Sequence, residues 1–227
     1  MSDAHELTDE KVIEAWNENA GPWTRAVREK TIESRNLVTD RAIIEAVTSC
    51  APRTVLDLGC GEGWLTRALN ERGLDCAGVD AVPSLIEKAN GLGGGDFRVA
   101  SYEEIAANGL DLRVDAVVAN FSLIGGQAVD AVVRRIPSLL EPGGAFIIQT
   151  LHPHVASDGL PYRDGWLEGS WAGCGSAFSS RAAPWYFRTI GTWIRMLQNS
   201  GLKLRELKEP LDPRSGRPAS LILISIT

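Results

Sequence analysis

Histidine and cysteine are scarce in this chain, which has three histidines and four cysteines among 227 residues. The cysteines form no C-x-x-C pair, and no cysteine or acid lies at ligand spacing near His152 and His154. We therefore expect no metal site. Since the cysteine spacing does not indicate a disulfide framework, a reduced, cytoplasmic setting with free thiols is the simplest interpretation.

The chain also lacks an apolar run near the roughly 20 residues that a membrane-spanning helix needs, so no membrane span is expected. Its first residues show no basic region followed by an apolar one, so a secretory signal is not expected either. The net charge is -6 and no Lys/Arg cluster occurs, which argues against nucleic acid as a partner. None of these features indicates an oligomeric state.

What the chain has is a regular alternation of short apolar runs with helical patterns. Runs near 54–58, 75–79, 97–100, 114–119 and 145–151 are nearly all apolar, as in a parallel sheet covered on both faces. A helix near 189–199 and strands near 202–208 and 220–226 complete the pattern. We expect one α/β domain over residues 1–227, with residues 1–50 as an N-terminal helical cap. Within this cap, Pro22 follows Gly21 and predicts the start of a new helix.

A glycine turn follows the first apolar run directly. The run ends in Asp57, and Gly59 and Gly61 come next, where backbone N–H groups can approach a nucleotide-like ligand closely. A second run ends in Asp80, where such folds place the acid that binds ribose hydroxyls. Trp64 replaces the third glycine of the dinucleotide fingerprint, and Asp57 would repel phosphates. A ligand with a ribose, an adenine and a cationic tail fits better, and S-adenosylmethionine is such a ligand.

Four segments together resemble the class I S-adenosylmethionine-dependent methyltransferases, closest to the small-molecule branch that includes quinone-biosynthesis enzymes. They are Val55-Leu56-Asp57-Leu58-Gly59-Cys60-Gly61-Glu62-Gly63, Gly78-Val79-Asp80, Val114-Asp115-Ala116-Val117-Val118-Ala119-Asn120-Phe121-Ser122 and Leu139-Leu140-Glu141-Pro142-Gly143-Gly144. The resemblance runs from about residue 35 to the C-terminus. It implies a Rossmann-like, doubly wound, seven-stranded sheet, mostly parallel with an antiparallel last strand, and helices on both faces.

The resemblance also implies a cofactor site. Gly59, Cys60 and Gly61 would approach the methionine tail, and Asp57 would lie near its ammonium, directly or through water. Asp80 would accept hydrogen bonds from the ribose diol, and Val82 would pack on the adenine. For Asp57 and Asp80 a helix-capping role is the structural alternative.

Three further positions follow the third and fourth strands. The family often has an acid for the adenine amino group after the third strand, where this chain has Ser101 and Tyr102; the Ser101 hydroxyl or the Tyr102 backbone could replace it. Asn120 would offer a main-chain carbonyl to the ammonium. Phe121 and Ser122 would then face the methyl group or the acceptor, although Ser122 could equally cap a helix.

The segment 152–188 interrupts the alternation with aromatics set among glycines. We interpret it as a lid that supplies an aromatic acceptor pocket, with Trp171, Trp185 and Tyr186 as candidate substrate contacts. The alternative is a satellite core beneath a long loop. An extended His152-Pro153-His154 segment would point both rings at one site, with His152 as candidate base and His154 as a substrate contact. The alternative is loop histidines that bond to the backbone.

These observations predict an enzyme that moves a methyl group from S-adenosylmethionine to a small-molecule acceptor and leaves S-adenosylhomocysteine. O- or C-methylation of an aromatic or apolar metabolite fits the predicted pocket. Two alternatives remain. One is a non-catalytic S-adenosylmethionine-binding regulatory protein, since fold alone does not establish activity. The other is a nicotinamide-dependent oxidoreductase, which Trp64 and Asp57 disfavour.

Overall fold

A computed structural model describes residues 7–157, 159–174, 178 and 181–227. It contains a seven-stranded sheet and, within the 152–188 segment, a separate two-stranded one. The strands are β1 (Thr54–Leu58), β2 (Asp75–Asp80), β3 (Asp96–Val99), β4 (Val114–Asn120), β5 (Leu140–Thr150), β6 (Gly165–Leu167), β7 (Trp185–Phe187), β8 (Lys203–Lys208) and β9 (Leu221–Ile226).

Helices connect these strands and precede them. They are α1 (Asp9–Arg28), α2 (Asp40–Thr48), α3 (Trp64–Asn70), α4 (Pro83–Leu92), α5 (Tyr102–Ala106), α6 (Gln127–Leu139), α7 (Pro153–Ala156) and α8 (Ile190–Asn199). A π-helical turn, Arg35–Thr39, leads directly into α2. No helix among the residues described is both long and apolar enough to cross a membrane.

The strand order is β3-β2-β1-β4-β5-β9-β8. The first five strands are parallel, and β9 runs antiparallel to both β5 and β8. The chain therefore moves outward from β1 to β3 and then returns to β4, which makes the β1/β4 boundary the switch point where α/β sheets bind ligands. The doubly wound, mostly parallel sheet with an antiparallel last strand is confirmed.

Alternation along the strands divides the core into two layers. On β1, Leu56 and Leu58 face the layer that contains α6 and α8, whereas Val55 faces the layer that contains α2 and α3. β9 repeats the pattern, with Leu223 on the first side and Ile222 on the second. Both faces are buried, and this explains why these strands are apolar throughout rather than alternating with polar residues.

The predicted helix start at Pro22 is wrong, because α1 is continuous over 20 residues. Proline here removes one N–H, whose partner would be the carbonyl of the exposed Glu18. The helix is held instead by its buried face, which includes Val12 and Ala20, and by Thr8, whose hydroxyl accepts a hydrogen bond from the Lys11 N–H at 3.4 Å. Packing of an amphipathic face outweighs the loss of one backbone bond.

Candidate functional site

A cavity of about 460 Å³ lies at the carboxyl ends of β1, β2, β4 and β5. Its wall combines three parts of the chain: the turns that follow these strands, the N-terminal helices, and the 152–188 segment. The volume falls within the range of about 300–1,000 Å³ that is typical of small-molecule sites. The cavity thus opens at the switch point of the sheet.

The turn after β1 can be built only with glycine at its first position. Gly59 has a φ of +78°, and a β-carbon there would lie 2.3 Å from Cβ of Ser122. The N–H groups of Gly59 and Cys60 donate to the carbonyl of Val79 at 2.8 and 2.9 Å, which fixes the turn against β2. Cys60 also lines the cavity, and burial raises the pKa of its thiol.

Asp80, at the end of β2, lines the cavity with a carboxylate that is held at both oxygens. Oδ2 accepts the N–H of Gly61 at 2.8 Å, and Oδ1 accepts the N–H of Val82 at 2.9 Å. Burial raises the pKa of this carboxyl group. Each oxygen retains a second lone pair, so the group can accept two further hydrogen bonds from a diol. Val82 is buried beside it in the same wall.

Two more carboxylates lie next to the glycine turn but do not line the cavity. Asp57 is buried and accepts a hydrogen bond from the Thr66 hydroxyl at 2.9 Å. Burial, with a smaller effect of the charge on Asp80, raises the pKa of Asp57 to about 7. Glu62 is buried too and pairs with Arg67; burial raises its pKa against the opposing effect of that arginine. Three acids around one turn favour a cationic ligand.

Arg35 also lines the cavity and is not among the site residues predicted from the sequence. Its Nε donates to Asp40 Oδ1 at 2.9 Å, and its guanidinium lies 4.5 Å from the ring centroid of Trp64 and 5.8 Å from that of Trp23. Trp64 stands where a dinucleotide fold has its third glycine, and here it serves as the platform on which the N-terminal segment docks. An isolated arginine in a helical stretch gave no signal of this role.

The turn after β3 differs from the expectation in one respect. Ser101 does not line the cavity; its hydroxyl accepts the N–H of Glu104 and caps α5. Tyr102 does line the cavity, and its hydroxyl donates to the carbonyl of Ser122 at 3.1 Å. Burial raises the pKa of Tyr102. The carboxylate residue next in sequence, Glu103, also lines the cavity and was not among the predicted site residues.

The turn after β4 brings Asn120, Phe121 and Ser122, three of the predicted site residues, to the cavity. Phe121 has a φ of +53°, a left-handed conformation that is rare for a bulky residue and typical of functional sites. The Ser122 hydroxyl donates to the carbonyl of Leu58 at 2.6 Å, which ties this turn to β1. Ser122 is not a helix cap, because α6 begins several residues later.

The histidines are not arranged as predicted. Pro153 starts α7, so the segment is helical rather than extended, and the two rings diverge. Nε2 of His152 lies 2.7 Å from Oε1 of Glu209, and the ring is buried. His154 is exposed. Neither histidine lines the cavity, although Leu151 and Pro153 do.

The 152–188 segment places Trp171, Trp185 and Tyr186, the predicted substrate contacts, in the wall of the cavity. Trp171 makes an edge contact with Trp16 of α1 at 5.6 Å between ring centroids and stacks on Phe178 at 4.2 Å. The same aromatics therefore form a small core of their own and also the surface of the cavity. The packing agrees with the satellite-core interpretation, while contact of these residues with an acceptor stays a prediction.

The loop that precedes α6 is fixed from two sides. Arg188, buried beside β7, donates to the carbonyls of Gly125 and Gly126 at 2.7 and 2.8 Å. Asp9, in the first turn of α1, accepts the N–H groups of Gly126 and Ala128 at 2.6 and 3.1 Å. Asp9 therefore caps α6 from another helix, and it fixes the start of α1 at the cavity.

A family model described as "Methyltransferase domain" matches residues 33–207. This chain belongs to that family. Among curated relatives, a ubiquinone biosynthesis O-methyltransferase of Xanthomonas axonopodis pv. citri is 29% identical over 67% of the chain and 64% of the relative. One from Xylella fastidiosa (strain M23) is 31% identical over 61% of the chain and 57% of the relative. The chain thus matches less than two thirds of the length of either relative.

Two solved methyltransferase structures share the fold. The 1,6-didemethyltoxoflavin-N1-methyltransferase of Burkholderia thailandensis, solved with 1,6-didemethyltoxoflavin and S-adenosylhomocysteine, has a TM-score of 0.66 at 21% identity, over 100% of this chain and 93% of that one. The magnesium protoporphyrin IX methyltransferase of Synechocystis, with S-adenosylhomocysteine bound, has a TM-score of 0.66 at 17% identity, over 96% and 99%. At 21% and 17% sequence identity, these two structures show that the fold is shared and nothing beyond the fold.

Proposed function

We propose that the cavity binds S-adenosylmethionine and that the protein transfers its methyl group to a small aromatic or apolar acceptor. The observation that carries this proposal is Asp80: a carboxylate at the end of β2, held by two backbone N–H groups, with lone pairs left at the cavity. A ribose diol is the natural partner of such a group. The solved relatives named above contain S-adenosylhomocysteine, which supports the same ligand here.

The remaining cofactor contacts are proposed from the wall residues. Val82, Tyr102 and Glu103 are expected around the adenine, and the backbone of Gly59 and Gly61 against the methionine tail. Nε of Arg35 donates a hydrogen bond to Asp40. The two terminal nitrogens of the guanidinium are suited to bind the carboxylate of the methionine tail. We assign Ser101 no contact with the adenine, because its hydroxyl caps α5.

Of the acids at the turn, Asp57 is expected to act on the cationic end of the ligand, because Asp80 is assigned to the ribose and Glu62 pairs with Arg67. Asp57 does not line the cavity, so we propose that it acts through its field or through a water, as a buried charge does in a low-dielectric site. When bound, S-adenosylmethionine supplies a methyl group that its sulfonium has already activated. The protein's part is therefore to hold and orient the two reactants and to exclude water.

The acceptor is proposed to lie between α1 and the 152–188 segment, against Trp171, Trp185 and Tyr186. The division into a cap of residues 1–50 and a lid of residues 152–188 on a single domain stays a proposal.

Because neither His152 nor His154 lines the cavity, we assign them no part in holding the acceptor. The relatives are named as O-methyltransferases, which favours oxygen over carbon as the methylated atom.

The cellular setting and the kind of partner are proposed from the cysteines and the charge pattern. All four cysteines are unpaired, which supports a reducing compartment such as the cytoplasm. The absence of a Lys/Arg cluster supports a small molecule rather than a nucleic acid as the partner.

A thermal-shift comparison of S-adenosylhomocysteine with NADH tests the proposal. We expect the first ligand to raise the melting temperature and NADH to leave it unchanged, since Trp64 occupies the place of the third glycine. Stabilisation by NADH alone would favour the oxidoreductase alternative. If S-adenosylhomocysteine binds, release of labelled methyl groups to small molecules of a cell extract separates an enzyme from a non-catalytic binding protein.

A further inference from the structure

The part of the cavity between α1 and β7 is apolar and largely aromatic. Val12 and Trp16 face it from α1, Phe121 and Ile124 from the turn after β4, and Trp185 from β7. We call this part the acceptor side. Flat apolar surfaces of this kind suit a planar molecule, but they carry no information about its orientation.

The charged groups of the acceptor side are already engaged by the protein. Arg188 donates to two backbone carbonyls and to Asp130 Oδ1 at 2.8 Å, and it lies 4.7 Å from the ring centroid of Tyr186. Both carboxylate oxygens of Asp9 accept N–H groups from the start of α6. Arg188 cannot turn to an anionic acceptor without leaving the buried carbonyls of Gly125 and Gly126 unsatisfied, which is costly. The negative charge of Asp9 is offset by the positive end of the α6 dipole. The acceptor side therefore favours a molecule without net charge.

The side chain of Asn120 at the end of β4 carries a buried polar atom that has no hydrogen-bond partner within the described part of the chain. Oδ1 of Asn120 is buried and accepts no hydrogen bond from any residue that the structure describes. Asn120 ends β4, at the switch point of the sheet, and the strained Phe121 follows it. A buried carbonyl oxygen without a partner is unfavourable unless a ligand supplies the missing donor.

We propose that the side-chain amide of Asn120 binds the acceptor by accepting a hydrogen bond from an O–H or N–H group of a planar, uncharged molecule. This inference rests on the proposed function and names its substrate class. The bond would orient the hydroxyl or amine at the end of β4, beside the glycine turn, so that its lone pair faces the donor. The side chain is thereby assigned to the acceptor, whereas its main-chain carbonyl remains the predicted contact of the donor's ammonium.

Four naphthalene probes of similar size separate the chemical features. 1-Naphthol and 1-naphthylamine each offer a donor hydrogen, 1-methylnaphthalene has the same shape without one, and 1-naphthoate carries a negative charge. Calorimetry with protein saturated with S-adenosylhomocysteine gives their dissociation constants. We expect the naphthol, the naphthylamine or both to bind about 3- to 10-fold more tightly than 1-methylnaphthalene, the ratio for one hydrogen bond. The naphthoate is expected to bind most weakly.

Variants of Asn120 test whether its side chain causes the difference in affinity between the probes. Asn120→Ala should abolish the difference between 1-naphthol or 1-naphthylamine and 1-methylnaphthalene, and Asn120→Asp, which keeps an acceptor oxygen, should retain it. Thr150→Val is the matched control, because it removes a hydroxyl from the same cavity wall at the end of β5. It should leave the difference unchanged. The dissociation constant of S-adenosylhomocysteine should change less than twofold in all three variants, and this also shows that they are folded.

The outcomes separate this inference from the proposed function. If S-adenosylhomocysteine does not bind the wild-type protein, the proposed function itself fails. If it binds but the four probes bind equally, bind not at all, or the naphthoate binds best, the acceptor assignment is wrong. A tenfold loss of S-adenosylhomocysteine affinity in Asn120→Ala, with probe binding unchanged, would assign the side chain to the donor instead.

Discussion

At the level of single residues, Asp57 is a buried acid whose ionisation destabilises the folded protein. Its carboxylate is buried away from the cavity, and its pKa of about 7 means that ionisation is unfavourable in the folded protein. In the unfolded chain the same group titrates near 4. The folded state therefore binds more protons than the unfolded state between these two values, so the Asp57 contribution to stability falls as pH rises from 4 to 7.

Asp57→Asn should consequently stabilise the ligand-free protein at pH 8. The amide oxygen can still accept the Thr66 hydrogen bond, while the buried charge is gone. We expect a gain of at least about 1 kcal/mol at pH 8 and little change at pH 4, since one pKa unit corresponds to about 1.4 kcal/mol. Denaturant unfolding at the two pH values measures this. A variant less stable than wild type at pH 8 would contradict the account.

Arg35 provides a second prediction at this scale. If its terminal nitrogens hold the carboxylate of the donor's tail, Arg35→Met should weaken S-adenosylhomocysteine binding about tenfold or more. Binding of 5′-methylthioadenosine, which lacks the amino-acid tail, should be nearly unchanged. Arg41→Met, on the exposed face of the neighbouring helix α2, is the control. Equal losses for both ligands would mean that Arg35 only supports the fold of the cap.

Residues differ in how far the sequence could predict them. Gly59 and Asp80 are read from a local pattern, because turn geometry and the strand end fix their position. Arg35 and Asp9 could not be predicted, because their roles depend on contacts with residues far along the chain. The prediction that both histidines face one site was wrong for a local reason. A proline after a strand can begin a helix as well as continue an extended segment, and Pro153 begins α7.

At the scale of elements, α1 and α6 are joined through a shared cap. α6 has no side-chain cap of its own, and Asp9 provides one from α1. The carboxylate also lies at the positive end of the α6 dipole. The same contact holds the first turn of α1 at the cavity, so the stability of one helix end and the closure of the cavity depend on one side chain.

Asp9→Ala should therefore lower the free energy of unfolding by about 1 kcal/mol, the usual effect of losing a cap. Its more specific effect should be faster hydrogen exchange at the amides of Gly126 and Ala128. Glu18→Gln, an exposed change on the same helix, should leave both unchanged. Unaltered exchange in Asp9→Ala would show that the N-terminus of α6 does not depend on α1.

The positions of the strands were easier to predict from the sequence than the residues at which helices and strands begin or break. The strand at 54–58 was placed to the residue and most others to within one or two, because fully buried strands are short and apolar. The break at Pro22 was wrong because helix length depends on the face that α1 buries, which a local rule does not see. The irregular start of β5 at Leu140 was likewise missed, since its pairing with β4 shifts register there.

At the level of the whole molecule, the wall of the cavity is formed by segments that are distant in sequence. The sheet edge supplies its floor, and residues of α1 and of the 152–188 segment meet above it, as the contact of Trp16 with Trp171 shows. A ligand in such a site contacts all three parts and stabilises them together.

Binding should therefore raise the stability of the entire domain. At a ligand concentration 100 times its dissociation constant, S-adenosylhomocysteine should add about 2.7 kcal/mol. For a chain of this size that corresponds to a rise in melting temperature of about 5–10 °C, seen as a single cooperative transition. Two separate transitions, of which only one shifts, would show that the cap and the sheet do not respond as one unit.

The affinity of the Asp80→Ala protein for S-adenosylhomocysteine tests whether Asp80 binds the ribose of the donor. The substitution removes both oxygens that the account assigns to the ribose diol, and Asp96→Ala, an exposed acid on β3, controls for charge. Circular dichroism establishes that both variants are folded. We predict at least a tenfold rise in the dissociation constant for Asp80→Ala and none for Asp96→Ala. A folded Asp80→Ala protein with wild-type affinity would contradict the account.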